Sequence, residues 1–348
     1  MKAARYYGIH DIRYEEIDKP VHGADEVLIR VAYSGICGSD LHIYNKGMFI
    51  INIPETMGHE FVGIVEAVGE NVKGYKPGDC VTANPMVPCH ECDSCHEESY
   101  NTCENLSFIG ECRQGCFAEY IVMDEKTLIK IPVKLSADAG INSAAGAGDP
   151  DEFSALKPLA LTEPLAVALN ICKRAQFKPD ERIAVIGAGP IGMLTCIAAK
   201  SLYGVKDITA VDLSEVRLEL AEKVGADHTY QMLPDGLKFD KIVDAAGAPV
   251  TFNTALKHIR ANGSVYVVSI FEKEFIFDIN LIVSMQASVV GCNVYTETEM
   301  KEAAEAIALG RVDVSPLISR VFDLTECAEA FKLVASADKS VAKVLFKP

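Results

Sequence analysis

The run PCHECDSCHEESYNTC sets Cys89, Cys92, Cys95 and Cys103 in the spacing CxxCxxCx7C. Four thiolates from one short lobe can close a tetrahedral sphere around zinc at ~2.3 Å and leave no position for water. His90 and His96 lie inside the run and could substitute, but the all-cysteine set uses the regular spacing. A second group is discontinuous: GICGSDLH brings Cys37, Ser39, Asp40 and His42, GHE brings His59 and Glu60, and TEPLAVAL brings Glu163. Taken singly, Cys37 reads equally well as a small buried hydrophobe, and His59 as a core histidine. Taken together they offer a soft and a borderline donor, with a carboxylate from Glu60 or Glu163. That is the donor set of an open zinc site with one exchangeable position.

A third group serves a dinucleotide. In VIGAGPIG, Gly187, Gly189 and Gly192 form GxGxxG, with Pro190 and Ile191 between the second and third glycines. The first glycine permits a tight turn, the second lets the backbone approach a pyrophosphate, and the third lets helix pack on strand; the helix N-terminus then faces the phosphates. Asp212 follows Gly192 by 20 residues and ends the next expected strand, where a carboxylate can accept hydrogen bonds from an adenosine ribose. It would repel a 2′-phosphate, and the LSE that follows adds no cation, so NAD is expected over NADP. Arg217, on the expected helix beyond, is a weaker candidate for phosphate recognition.

These residues need particular elements to hold them. Residues 1 to about 135 carry short β-branched runs between turns (EVLIRVAYSG, FVGIVEAVGE, YKPGDCVTAN, FAEYIVM, TLIKIP), which predicts a largely antiparallel β domain. From Glu181 apolar strands alternate with amphipathic helices, predicting βαβ units and a doubly wound parallel sheet; TFNTALKHIRANG reads as one of those helices. The residues after Cys292 have no clear place in that sheet and are expected to return to the first domain. The expected boundaries are therefore 1–165 completed by 293–348, around 166–292. Residues 137–159, rich in Gly, Ala, Pro and Asp, read as a linker or a lid-like segment before Glu163.

At 348 residues, two domains are expected. A formal charge of -16 with no Lys/Arg-rich run argues against a nucleic-acid surface. The first residues lack the ~7–15-residue apolar stretch of a secretory signal, and no run reaches the ~18 apolar residues of a membrane span. A cytoplasmic protein is expected, where thiols stay reduced and close-spaced cysteines hold metal.

MKAAR, CGSDLH, TMGHEFVG, EPLAVAL, GAGPIG and VSIFEK resemble the zinc-dependent medium-chain dehydrogenase/reductase (alcohol dehydrogenase) family, in its polyol and 2,3-butanediol dehydrogenase branch, over nearly the whole chain. The resemblance implies a GroES-like, mostly β catalytic domain, a doubly wound Rossmann domain, and assembly as a homodimer or homotetramer. It implies Cys37, His59 and Glu60 as catalytic-zinc ligands, with Glu163 coordinating directly or through water. The ethanol-using branch has a second cysteine where this chain has Glu163. It also implies that Asp40 orients His59, that Ser39 takes the substrate hydroxyl proton, and that His42 passes it to solvent. Two departures stand out. The 137–159 segment is longer than the family norm, and ECRQGCFAEY carries Cys112 and Cys116 where small or polar residues are usual. Those two thiols, with Cys80, Cys172, Cys196, Cys292 and Cys327, are read as buried.

Hydride leaves a carbinol carbon readily only when its oxygen bears negative charge. Zinc can bring a bound water from ~16 to ~7, roughly 12 kcal/mol of charge stabilisation, and the cofactor takes the hydride. The expected function is NAD-dependent interconversion of the secondary alcohol of a vicinal diol or polyol, such as 2,3-butanediol or sorbitol, with its ketone. Alternatives sharing these motifs are a polyol- or sugar-phosphate dehydrogenase, which needs a cation such as Lys46 or Arg113, and a threonine-type dehydrogenase. A non-catalytic NAD-binding protein would have lost a ligand or the relay, and none is missing.

Overall fold

The structure, a computed structural model, describes residues 1–133, 153–271, 273–336 and 338–348. The chain divides into two compact units, Met1–Glu163 with Met300–Gly310 and Ile318–Pro348, and Pro164–Glu299 with Arg311–Leu317. The first unit is built around the ten-residue strand Glu26–Gly35, whose residues are buried on both faces except at Glu26 and Arg30. Apolar residues throughout EVLIRVAYSG suit that central place. The strand pairs antiparallel with Glu60–Val68, Tyr120–Asp124 and Lys343–Lys347. The seven-stranded sheet continues through Cys80–Ala83 to Leu128–Lys130 on one side, and from Lys343–Lys347 to the parallel strand Ile318–Asp323 on the other. Fully buried Phe117, Phe331 and Phe346 pack there, the first and last with ring centroids 5.0 Å apart.

Gly35, at the strand's end, is opposite Glu60 on one neighbour and Leu345 on the other. Three stretches distant in sequence therefore meet at one end of this sheet. The 137–152 part of the expected linker lies outside the described residues. The rest differs from expectation: Ser154–Leu161 is a 3-10 helix whose Leu156 and Leu159 are buried. Together with the following helix it makes Ser154–Ala175, long and apolar enough by length and composition to cross a membrane. With 78% of its most apolar window buried inside the protein, it is a core helix.

The second unit holds a six-stranded, all-parallel sheet. Its order is His228–Tyr230, Asp207–Val211, Arg182–Ile186, Phe239–Asp244, Ile259–Val267, Ser288–Gly291. Numbered within the unit, that is 3-2-1-4-5-6, the doubly wound order whose reversal point lies at the end of the first strand. Two readings need correction. Helix Pro249–His258 stops at His258, and IRANG opens the next strand. The register slips there between Phe239 and Lys241, and Asn262 takes a positive φ, so the extra residues are absorbed in a bulge that periodicity does not reveal. The return to the first unit begins at Met300 rather than 293, because Asn170 on the core helix donates to the carbonyls of Asn293 and Val294.

Candidate active site and metal centres

The turn leaving strand Glu26–Gly35 builds the discontinuous group. Cys37 caps helix Gly38–Lys46, and Asp40, in its first turn, accepts a hydrogen bond from the Cys37 N–H at 2.8 Å. Ser39 and His42 lie three apart on the same helix, hence on neighbouring positions of one face. Glu60 opens the strand paired with Glu26–Gly35, and His59 precedes it after Gly58 at φ +93, where a Cβ would overlap the Phe117 ring. The Cys37 sulfur, a His59 nitrogen and a Glu60 oxygen all lie within 4.8 Å of one another. Glu163, buried in the first turn of helix Thr162–Ala175, acts by its charge on His59.

The two His59 nitrogens face different groups. Nε2 makes a long contact with Ser39 Oγ at 3.5 Å, and Nδ1 is 4.0 Å from Asp40 Oδ1. That Oδ1 is buried without a hydrogen-bond partner. Burial pushes the Asp40 carboxyl up to about 6, against the pull of His59. Burial disfavours the His59 imidazolium, but Cys37, Asp40 and Glu163 outweigh it and hold its pKa well above the usual value. Crowded anions around one histidine are what a dication would neutralise, so the donors fit zinc. His42 meets the Phe49 ring edge-on at 6.2 Å.

The cysteine lobe folds on a short helix, Asp93–His96, and a 3-10 turn, Tyr100–Thr102. It brings the sulfurs of Cys89, Cys92, Cys95 and Cys103 within 4.8 Å of one another. The backbone N–H groups of Glu91 and Cys92 lower the Cys89 thiol to about 6, while burial raises that of Cys95 to about 12. Four free sulfurs with amides already turned on one of them fit a closed zinc site. His90 instead packs its ring on Tyr100 at 5.7 Å. Of the cysteines expected to be buried, Cys112 is only half-buried, its thiol donating to the Phe108 carbonyl at 3.3 Å.

In the second unit Gly187 has φ +101, and a Cβ on Gly192 would strike the Gly187 carbonyl. Gly189 caps helix Pro190–Ser201 with Pro190 at its first turn, and a Cβ on Gly189 would meet nothing within 4 Å. The clear space at a helix N-terminus suits a pyrophosphate. Ile191, in the same first turn, accepts at its carbonyl from Thr195 Oγ1. Asp212 is oriented by the N–H groups of Ala188 (3.0 Å) and Ser214 (2.9 Å), which point its carboxylate at the turn. Arg217 stands 3.8 Å from it, and its buried Nε has no hydrogen-bond partner.

Residues 23–133 match the alcohol dehydrogenase GroES-like domain and residues 190–308 the zinc-binding dehydrogenase domain. The chain is 32% identical to a probable D-xylulose reductase A of Aspergillus clavatus, over 94% of this chain and 91% of that protein. The chain belongs to the zinc-dependent medium-chain dehydrogenases. The solved 2R,3R-butanediol dehydrogenase of Bacillus subtilis is similar to this dehydrogenase, at 33% identity and a TM-score of 0.86 over 100% of this chain and 99% of that one. Galactitol-1-phosphate dehydrogenase of Escherichia coli is also similar, at 29% identity and a TM-score of 0.86 over 100% of both chains. The dehydrogenase is thus an oxidoreductase of alcohols, with zinc and a nicotinamide dinucleotide as cofactors.

The dehydrogenase also has site residues that motif reading missed. Lys343 opens the last strand, and its Nζ donates to Glu60 Oε1 at 2.6 Å. It is 3% exposed, and Glu60 is 0% exposed. Burial disfavours its charge, but Glu60, Cys37 and Glu163 hold its pKa above the usual value. Glu111, also buried, accepts from the Phe108 N–H at 3.1 Å, and Phe108 packs its ring 5.8 Å from that of His59. The one visible signal was a charged residue at the head of an apolar run, KVLFK.

Proposed function

We propose that this dehydrogenase oxidises the secondary alcohol of a vicinal diol or polyol, such as 2,3-butanediol or sorbitol, to the ketone with NAD, and runs the reverse reduction. The observation that carries the reading is the convergence of Cys37, His59 and Glu60, with Glu163 near, beside a serine and a helix-borne histidine. Similarity to a xylulose reductase and a butanediol dehydrogenase supports the substrate class. When bound, zinc supplies Lewis-acid stabilisation of negative charge on the alcohol oxygen. Cys37 and His59 would hold it with a carboxylate from Glu60 or Glu163, and Asp40 faces the Nδ1 side of His59 and keeps the ring turned. Ser39 takes the hydroxyl proton and His42 hands it on; a bound nicotinamide would accept the carbinol hydride. Cys89, Cys92, Cys95 and Cys103 would hold a second zinc, which would stabilise the fold.

Gly187, Gly189, Pro190, Ile191 and Gly192 would bind the pyrophosphate, and Asp212 the ribose, selecting NAD over NADP. A cytoplasmic homodimer or homotetramer completes the reading. Edge strand Ser288–Gly291, with Val289 and nearby Val283, Ile276 and Ile279 exposed, supports assembly, and twelve free cysteines suit a reducing compartment. The test is NADH absorbance with butanediol, sorbitol, xylitol, threonine and galactitol 1-phosphate. Turnover confined to the phosphorylated polyol or to threonine would replace the proposed substrate class.

A further inference from the structure

We infer that Glu111 is a specificity-determining residue of this dehydrogenase, its Oε1 accepting a hydrogen bond from the hydroxyl on the carbon next to the reacting carbinol. The other oxygen is occupied. Oε2 accepts from the Phe108 N–H at 3.1 Å and more weakly from Ser107 Oγ at 3.4 Å, which ties the carboxylate to the turn after strand Ser107–Phe108. Oε1 makes no hydrogen bond among the described residues and is not sealed off from water. Glu111 as a whole is only 7% exposed. Burial raises its carboxyl, and neither His59 nor the donors on Oε2 offset that. A buried carboxylate with one oxygen unbonded is costly unless another group donates to it.

The placement supplies the donor. Both His59 and Asp40 act on Glu111 by their charge, and Phe108, whose N–H it holds, sets its ring 5.8 Å from that of His59. The Glu111 carbonyl accepts from the Ile51 N–H at 2.8 Å, and the Cys112 carbonyl from Asn52 Nδ2 at 2.7 Å. These bonds fasten beside it the stretch that carries Phe49, Ile51 and Ile53, all exposed, and Phe49 meets the His42 ring edge-on. Those side chains and Phe108 are apolar, and in an apolar setting one placed acceptor decides how a substrate lies and which is taken. A vicinal diol brings a donor one carbon from the hydroxyl that loses its proton. A monohydric alcohol leaves Oε1 bare.

The inference rests on the proposed oxidation of a vicinal diol, and a pair of alcohols separates the two. 2,3-Butanediol and 2-butanol share the reacting carbinol and differ in the neighbouring hydroxyl. With zinc-loaded enzyme and NAD, the wild type is expected to favour the diol in kcat/KM by at least about tenfold, the worth of a hydrogen bond to a charged group. Glu111→Gln keeps an acceptor for Phe108 and Ser107 and puts a neutral amide nitrogen where Oε1 stood. Its preference for the diol should fall about tenfold, with kcat/KM for 2-butanol staying within about threefold of wild type. An unchanged preference, or an equal loss on both alcohols as a purely structural carboxylate would give, overturns the proposal. So does a wild type indifferent to the second hydroxyl, a result that needs no variant to fold. Turnover of neither alcohol overturns it as well, and sorbitol and xylitol run alongside show whether the oxidation reading falls with it.

Discussion

Cys37 caps a helix beside His59 and Glu60, whereas Cys95 is buried among three other sulfurs. Removing each should therefore fail differently. Cys37→Ala should lose one metal and all turnover while keeping its melting temperature within a few degrees and its NADH binding. Cys95→Ala should lose the other metal and melt markedly lower, because a closed zinc site contributes folding free energy. Metal analysis and calorimetry check both; identical melting with equal loss of metal would erase the distinction. Asp212, already oriented by two backbone amides, gives a second prediction. Asp212→Ala should weaken NADH about tenfold, the worth of a hydrogen bond to a charged group, and leave NADPH less affected. Equal loss in fluorescence titrations of both cofactors would remove its role in selection. Cysteines and glycines were legible at this scale because their chemistry depends on local spacing. Lys343 was not, because its partner Glu60 is 283 residues away and only strand register joins them.

Among the elements, the helix Glu297–Ala308 shows how a local signal is used. Thr296 donates its N–H to Glu299 Oε2 at 2.7 Å, the reach-back of a capping box, and Lys173 Nζ lies 2.9 Å from the other oxygen. Burial alone would raise the Glu299 carboxyl, but Thr296 and Lys173 hold it below the usual range. A depressed carboxylate contributes stability that is present above its unfolded value near 4.3 and is lost as pH falls through the lower folded value. Glu299→Gln should cost about 1–3 kcal/mol at pH 7. The gap from wild type should close in acid, as denaturant titrations at several pH values would show; a constant gap would exclude the ion pair as its source. Strand and helix types were legible from period, since EVLIRVAYSG and IAVIG are apolar where sheets bury both faces. The bulge at Arg260–Gly263 was not, because a helix-like run continues through it and only pairing with Phe239–Asp244 stops it.

For the whole molecule, length and charge set the outline. Two compact units agree with what 348 residues suggest, and the net charge of -16 comes from the sequence itself. The place where the chain returns was not readable, since it depends on Asn170 holding Asn293 and Val294 rather than on composition. Nor was the meeting of Lys343 with Glu60 beside Gly35, which strand register and not local spacing brings about. The central claim, that this site oxidises a diol or polyol with NAD, is tested most directly by following NADH absorbance. Zinc-loaded protein is mixed with NAD and 2,3-butanediol, sorbitol or xylitol, with Cys37→Ala alongside. The account predicts NADH formation with at least one of the three and none from the variant. No NADH from any of them, or equal NADH from Cys37→Ala, would contradict it.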